Sequence, residues 1–90
     1  MAERLVRVES MVGLHSRPAA EFVKAAAQCP VEVSVGRHTG ELVNAKSILA
    51  VLALDARPGE HLRLCAEGEG AEEALDRLAG LFTQFSETNA

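Results

Sequence analysis

The sequence predicts a small α+β domain. It is an open-faced β-sandwich of element order β-α-β-β-α-β-α, with a four-stranded, mostly antiparallel sheet and three helices on one face. Three observations carry this. Four stretches alternate apolar and polar residues with the period of two of a half-buried strand. Three others repeat apolar residues at the spacing of an amphipathic helix. The chain has 90 residues, 48% hydrophobic and 24% charged, which suits one globular domain with one modest core. Alternating strands leave one sheet face wet, and the helices then cover the other. Residues 1–90 are read as a single domain with a frayed tail from about Ser86.

Each element has its own grounds. Leu5 to Ser10 is a strand, with Val6 and Val8 alternating with Arg7 and Glu9. Met11 to Leu14 is a loop around Gly13. From Ser16, residues Ala19, Phe22, Val23, Ala26 and Ala27 follow the i, i+3, i+4, i+7, i+8 pattern of one helical face. Ser16 is a good N-cap and Pro18 is tolerated in the first turn. Pro30 ends the helix, because the residue before a proline avoids helical geometry. Val31 to Val35 alternates cleanly as a strand, Gly36 to Gly40 turns, and Glu41 to Asn44 returns. Ser47 N-caps a short helix through Leu54. Arg57-Pro58-Gly59-Glu60 fits a type II turn, with proline presetting φ and glycine allowing a positive φ. Leu62, Leu64 and Ala66 then alternate with Arg63, Cys65 and Glu67, which sends Cys65 to the open sheet face. Ala71, Ala74, Leu75, Leu78, Leu81, Phe82 and Phe85 line the last helix, and Glu72 and Glu73 suit the positive end of its dipole.

Composition excludes several functions. Nine Lys plus Arg against 13 Asp plus Glu leave a net charge of −4, with no basic cluster to follow a nucleic-acid backbone. Aromatics are 3%, all Phe, so a base-stacking platform lacks its residues. The longest apolar run, Ile48 to Leu54, is far short of a membrane span of about 20 residues. The N-terminus has no apolar signal core, so a cytoplasmic location is expected. Cys29 and Cys65 are too few for a disulfide framework and are read as reduced, partly buried thiols. With His15, His38 and His61 they make no zinc-ligand spacing, and no cofactor or metal is expected.

The chemistry concentrates in Gly13-Leu14-His15-Ser16-Arg17-Pro18-Ala19-Ala20. His15 immediately precedes a helix N-terminus, where free N–H groups and the dipole favour an anion. The Ser16 amide belongs to that set, and Arg17 adds a guanidinium suited to phosphate oxygens. The same field disfavours imidazolium, so free His15 is expected to titrate below about 6.5. A neutral imidazole is a nucleophile, and a phosphate that it acquired would find stabilising donors beside it. No general base or metal ligand for hydrolysis accompanies it. The competing reading is a loop histidine that only caps a helix.

That run resembles the active-site signature of the HPr family, the histidine-containing phosphocarriers of the bacterial phosphoenolpyruvate:sugar phosphotransferase system. Val43-Asn44-Ala45-Lys46-Ser47-Ile48-Leu49 resembles the family's regulatory segment, and Ala66-Glu67-Gly68-Glu69-Gly70-Ala71 is a weaker third match. The likeness covers roughly Leu5 to Phe85. It implies a strand order of 1-4-2-3. It implies that His15 takes a phosphoryl group from phosphorylated enzyme I and gives it to enzyme IIA domains, with Arg17 pairing with the phosphate. It also implies a carrier whose partners are the enzymes, and regulation through Ser47 by an HPr kinase/phosphorylase, with a transcriptional regulator as a further partner. A monomer is expected, since a carrier must show one small face to successive partners. Departures from the family pattern are Val12, Ala50 in place of a frequent glycine, and Asp55 where many members close the helix with glycine.

The docking surface in such proteins lies on the first two helices. Ile48, Leu49 and Leu52 cannot all face inward from a short helix, so part of this set is expected to be exposed, Leu49 above all, while Val51 is expected in the core. Lys24 and Ala20 are candidates on the first helix. Phosphorylating Ser47 would add about −1.5 to −2 charges beside this surface. His38 and His61 read as solvated. The alternatives are a carrier of a regulatory, nitrogen-related branch, a regulatory binding protein acting through phospho-Ser47, and a small-molecule-binding domain in which His15 is only a cap.

Overall fold

The computed structural model describes residues 1–8, 16–57 and 59–88, with the backbone alone for 16–18 and 83–88. The elements are β1 (Ala2–Arg7), α1 (Ser16–Gln28), β2 (Glu32–Arg37), β3 (Val43–Asn44), α2 (Ile48–Ala53), β4 (His61–Glu67) and α3 (Ala71–Thr88). The expected element order and the strand order β1-β4-β2-β3 are both found. Each neighbouring pair of strands is antiparallel.

Alternation along the strands decides which side chains meet the helices. Val6 and Val8, Val33 and Val35, and Leu62, Leu64 and Ala66 are buried. They face Ala19, Phe22 and Ala26 of α1, Val51 of α2, and Leu75, Leu78 and Phe82 of α3 in one core. Phe22 and Phe82 meet edge to face, with ring centroids 5.8 Å apart, a geometry favoured by the ring quadrupoles. Arg4, on the helix side of β1, donates to Glu72 Oε1 at 2.6 Å and Asp76 Oδ1 at 2.8 Å, tying α3 to the sheet edge. Arg77 of α3 donates to Gln28 Oε1 at the end of α1.

Several boundaries differ from the sequence expectation. β1 begins at Ala2, not Leu5, because Ala2 to Arg4 find partners in Ala66 to Leu64 of β4; its expected last residues, Glu9 and Ser10, lie outside the described residues. β2 runs on through Arg37, paired with Leu62, where a turn was expected from Gly36. At Gly36 the returning chain comes so close that a Cβ would sit 2.2 Å from the Glu41 carbonyl oxygen, so the glycine serves close approach within a strand. β3 shrinks to Val43–Asn44. Ala27 is exposed and Ala25 buried, since Ala27 lies about 100° further round α1 than Ala26. α3 continues through Ser86 to Thr88, as no glycine or proline follows Phe85 to stop it. The expected loop from Met11 to Leu14 and residue Pro58 lie outside the described residues.

Among the described residues no helix is long and apolar enough to cross a membrane.

Candidate functional site

The site is built on the N-terminal end of α1 and on the segment leading into α2. His15, with the run from Glu9, lies outside the described residues. Ser16, expected as N-cap, is itself the first residue of α1, and Arg17 and Pro18 follow in its first turn. No acidic residue stands in that turn, so the free amides at this end keep their positive field. The contrast is α3, whose first turn carries Glu72 and Glu73. An anion is therefore favoured at the start of α1 and opposed at the start of α3. Ala20 and Lys24 are both exposed and, four residues apart, share one face of α1.

The second part of the site follows β3. The amide of Ala45 donates to the Val33 carbonyl at 3.0 Å, and that of Ser47 to the Asn44 carbonyl at 3.1 Å. The Asn44 side chain accepts from the Lys46 amide at 2.9 Å. This tight segment delivers Ser47 to the N-cap of α2 in extended geometry, φ −104°, ψ 113°. Its hydroxyl oxygen accepts from the Ala50 amide at 3.3 Å, the cap expected from the sequence. α2 then buries Val51 completely and leaves Ile48 (37%), Leu49 (78%) and Leu52 (37%) exposed. α1 and α2 pack side by side, so Ala20, Lys24 and these three apolar side chains belong to neighbouring helices.

Two features escape sequence reasoning. Lys46 Nζ donates to the Cys29 carbonyl, just past the end of α1, at 3.1 Å. This places a cation at the negative end of α1's dipole and ties the helices together. No local signal links residues 17 apart. The second is a brace behind α2. Asp55, just past the helix, holds a positive φ of 47°, in the left-handed region that Asp tolerates better than most residues. Arg37 Nη2 donates to the Asp55 carbonyl at 3.2 Å, and Arg37 Nε to Glu60 Oε2 at 2.8 Å. Glu60 Oε1 also accepts from the Arg57 amide at 2.7 Å. Arg37, followed by the Arg57 amide, holds the Glu60 carboxyl below its ordinary value. The Glu60 amide closes the turn onto the Arg57 carbonyl at 3.0 Å, and Gly59 has φ +91°, as expected for type II. Val8 is bonded on both sides, donating to the Glu60 carbonyl at 2.8 Å and accepting from Gly59 at 2.6 Å.

Cys29 and Cys65 are free and buried. Cys65 lies on the open-face side of β4, beneath Glu3, whose Oε2 accepts from its Sγ at 3.5 Å. Burial, then that carboxylate, pushes its thiol up. His38 and His61 are exposed. Among the described residues no group of three or more His, Cys, Asp or Glu could hold a metal ion.

Residues 2–84 match the family model described as the PTS HPr component phosphorylation site. The phosphocarrier protein HPr of Streptomyces coelicolor is 50% identical over 84 residues, covering 93% of this chain and 90% of its own. That of Pseudomonas putida is 40% identical over 85 residues, covering 94% of each. Among solved structures, HPr-C-His from Thermoanaerobacter tengcongensis superposes with a TM-score of 0.88 at 34% identity, covering 97% of both chains.

Proposed function

The chain belongs to the HPr phosphocarrier family of the phosphotransferase system, and from that premise we propose that it is a stoichiometric phosphoryl carrier acting through His15. The observation that carries the reading is the family match over residues 2–84, within which Gly-Leu-His-Ser-Arg-Pro runs directly into α1 at Ser16. A ring nitrogen of His15 attacks the phosphorus held by a donor histidine on enzyme I. The new N–P bond forms as the donor's N–P bond breaks, and the donor nitrogen leaves with the electron pair. The same exchange, with His15 as leaving group, passes the phosphoryl group to a histidine of an enzyme IIA domain. The Ser16 amide and the positive end of α1 stabilise the phosphate between the two steps. Arg17 offers paired donors to its oxygens. The partners supply the catalysis, so the protein is a carrier and not an enzyme, and it works in the cytoplasm where those partners would meet it. Docking uses Ile48, Leu49, Leu52, Ala20 and Lys24, where exposed apolar surface on α2, packed against α1, suits a transient complex.

The test is intact mass after incubation with phosphoenolpyruvate and its cognate enzyme I. One phosphate is expected on the wild type, lost in mild acid and absent from His15→Ala. No phosphate with a control carrier labelled in parallel overturns the reading.

Ser47 supports a second, compatible role. Its hydroxyl caps α2 beside Ile48 and Leu49, so a phosphoryl group there would add negative charge at the docking surface. Ser47→Asp is expected to slow phosphorylation of His15 by enzyme I. Equal rates for the variant and wild type would remove this role.

A further inference from the structure

α2 carries the exposed apolar surface on little anchorage of its own. Of its six residues only Val51 is buried. A single buried side chain leaves a short helix free to tilt about it, so the two ends set its direction. Ser47 caps the first. The second turns through Asp55, whose amide donates to the Leu52 carbonyl at 3.1 Å. Among the described residues Asp55 is the one non-glycine residue with a positive φ. A side chain with a Cβ adopts that conformation at a cost, and keeps it where the surroundings hold it there. The hold comes from the sheet. Arg37 is set in β2 by its pairing with Leu62. Its guanidinium spans two acceptors, the Asp55 carbonyl at 3.2 Å and Glu60 Oε2 at 2.8 Å. Glu60 is fixed in turn, its carbonyl accepting from the Val8 amide at 2.8 Å. Arg37 therefore ties the end of α2 to the end of the sheet from which the chain runs on towards His15.

We propose that Arg37 is a positioning residue for phosphoryl transfer, holding the Asp55 turn so that the apolar surface of α2 keeps the orientation that docking requires. The inference rests on the reading of His15 and α2 given above and deepens it. Arg37 acts through Asp55 and α2, not on the phosphate. Arginine suits the role because its planar fork serves two acceptors at once, where a lysine ammonium is a single point charge. A surface that is already ordered loses less freedom on association. The effect therefore falls on the binding of the carrier by enzyme I and spares the chemical step. The pair is substantially exposed, with Arg37 at 43% and Glu60 at 31%, so it contributes little to global stability. That separates positioning from folding.

The test is the steady-state phosphorylation of the full chain by phosphoenolpyruvate and its cognate enzyme I, with circular dichroism to check that each variant folds. Arg37→Gln is expected to raise KM for the carrier about tenfold and to leave kcat within about twofold. Arg37→Lys should recover only part of that loss. Asp55→Gly should cure it. Glycine takes a positive φ at no steric cost, so in the double variant Arg37→Gln/Asp55→Gly the turn no longer needs its hold, and KM should return to within about twofold of the wild type. An Arg37 that touched enzyme I directly would not be replaced by a glycine at position 55, so a KM that stays raised in the double variant overturns the proposal. So does a wild-type KM in Arg37→Gln, or a loss confined to kcat. A wild type that takes no phosphate overturns the carrier reading and this inference with it, whereas the other failures leave that reading standing.

Discussion

The second and third helices treat the same kind of residue in opposite ways. α3 lays Ala71, Ala74, Leu75, Leu78 and Phe82 into the core and is held by Arg4 from the sheet edge and by its own Arg77 on α1. α2 buries Val51 and leaves Ile48, Leu49 and Leu52 at the surface. It is fixed from its ends, by the Ser47 cap and by the Arg37–Glu60 brace at Asp55. The difference teaches where apolar area is used. In α3 it stabilises the fold. In α2 most of it stays at the surface, where the proposed docking would use it, and hydrogen bonds at its two ends hold the helix instead.

Three experiments bear on this contrast, from the largest expected effect to the smallest. Leu78→Ala removes a completely buried side chain and should cost about 2–5 kcal/mol. Thermal unfolding should register that at roughly 4–8 °C per kcal/mol for a domain of this size. A loss under about 0.5 kcal/mol would break the comparison on the α3 side. Leu49→Ala should do the reverse. It should change stability by less than about 0.5 kcal/mol while weakening association with enzyme I by about 1 kcal/mol or more, read by calorimetric titration. If stability falls as it does for Leu78→Ala, α2 is a core helix after all.

The third concerns the brace. The folded Glu60 carboxyl lies below its ordinary value because Arg37, then the Arg57 amide, favours its charged form. A depressed folded value contributes stability that is present above the unfolded value and is lost as pH falls through the folded one. Between pH 6 and pH 3 the wild type should therefore lose more thermal stability than Glu60→Gln. Both residues of the pair are substantially exposed, so the difference should be small and should shrink in salt. Parallel pH profiles would show that the brace does not hold α2.

Legibility followed the range of the interactions. The Ser47 cap and the Gly59 turn are set by residues within a few positions of each other, and both were readable. The exposure of Leu49 was readable too, because a helix of six residues cannot turn three bulky neighbours inward at once. The Lys46–Cys29 link and the Arg37–Glu60–Asp55 brace were not, because their partners are 17 to 23 residues apart and no local pattern announces them. The strand edges were misjudged for a related reason. Ala2 to Arg4 join the sheet because β4 lies beside them, and only two residues of the returning strand pair with β2. For the candidate site, the sequence supplied the motif around His15 and the family likeness. The structure added the uncompensated helix end at Ser16 and the neighbouring exposed faces of α1 and α2.

The sequence by itself determined the element order, the antiparallel character of the sheet, the cap of α2 and the chemistry available next to α1. These follow from periodicity and from the steric and hydrogen-bonding properties of single residues. Only the tertiary structure decided the lengths of the strands and the ties that hold α1 and α2 together. Those depend on which residues of distant strands come into register, and register is set by the packing of the whole core.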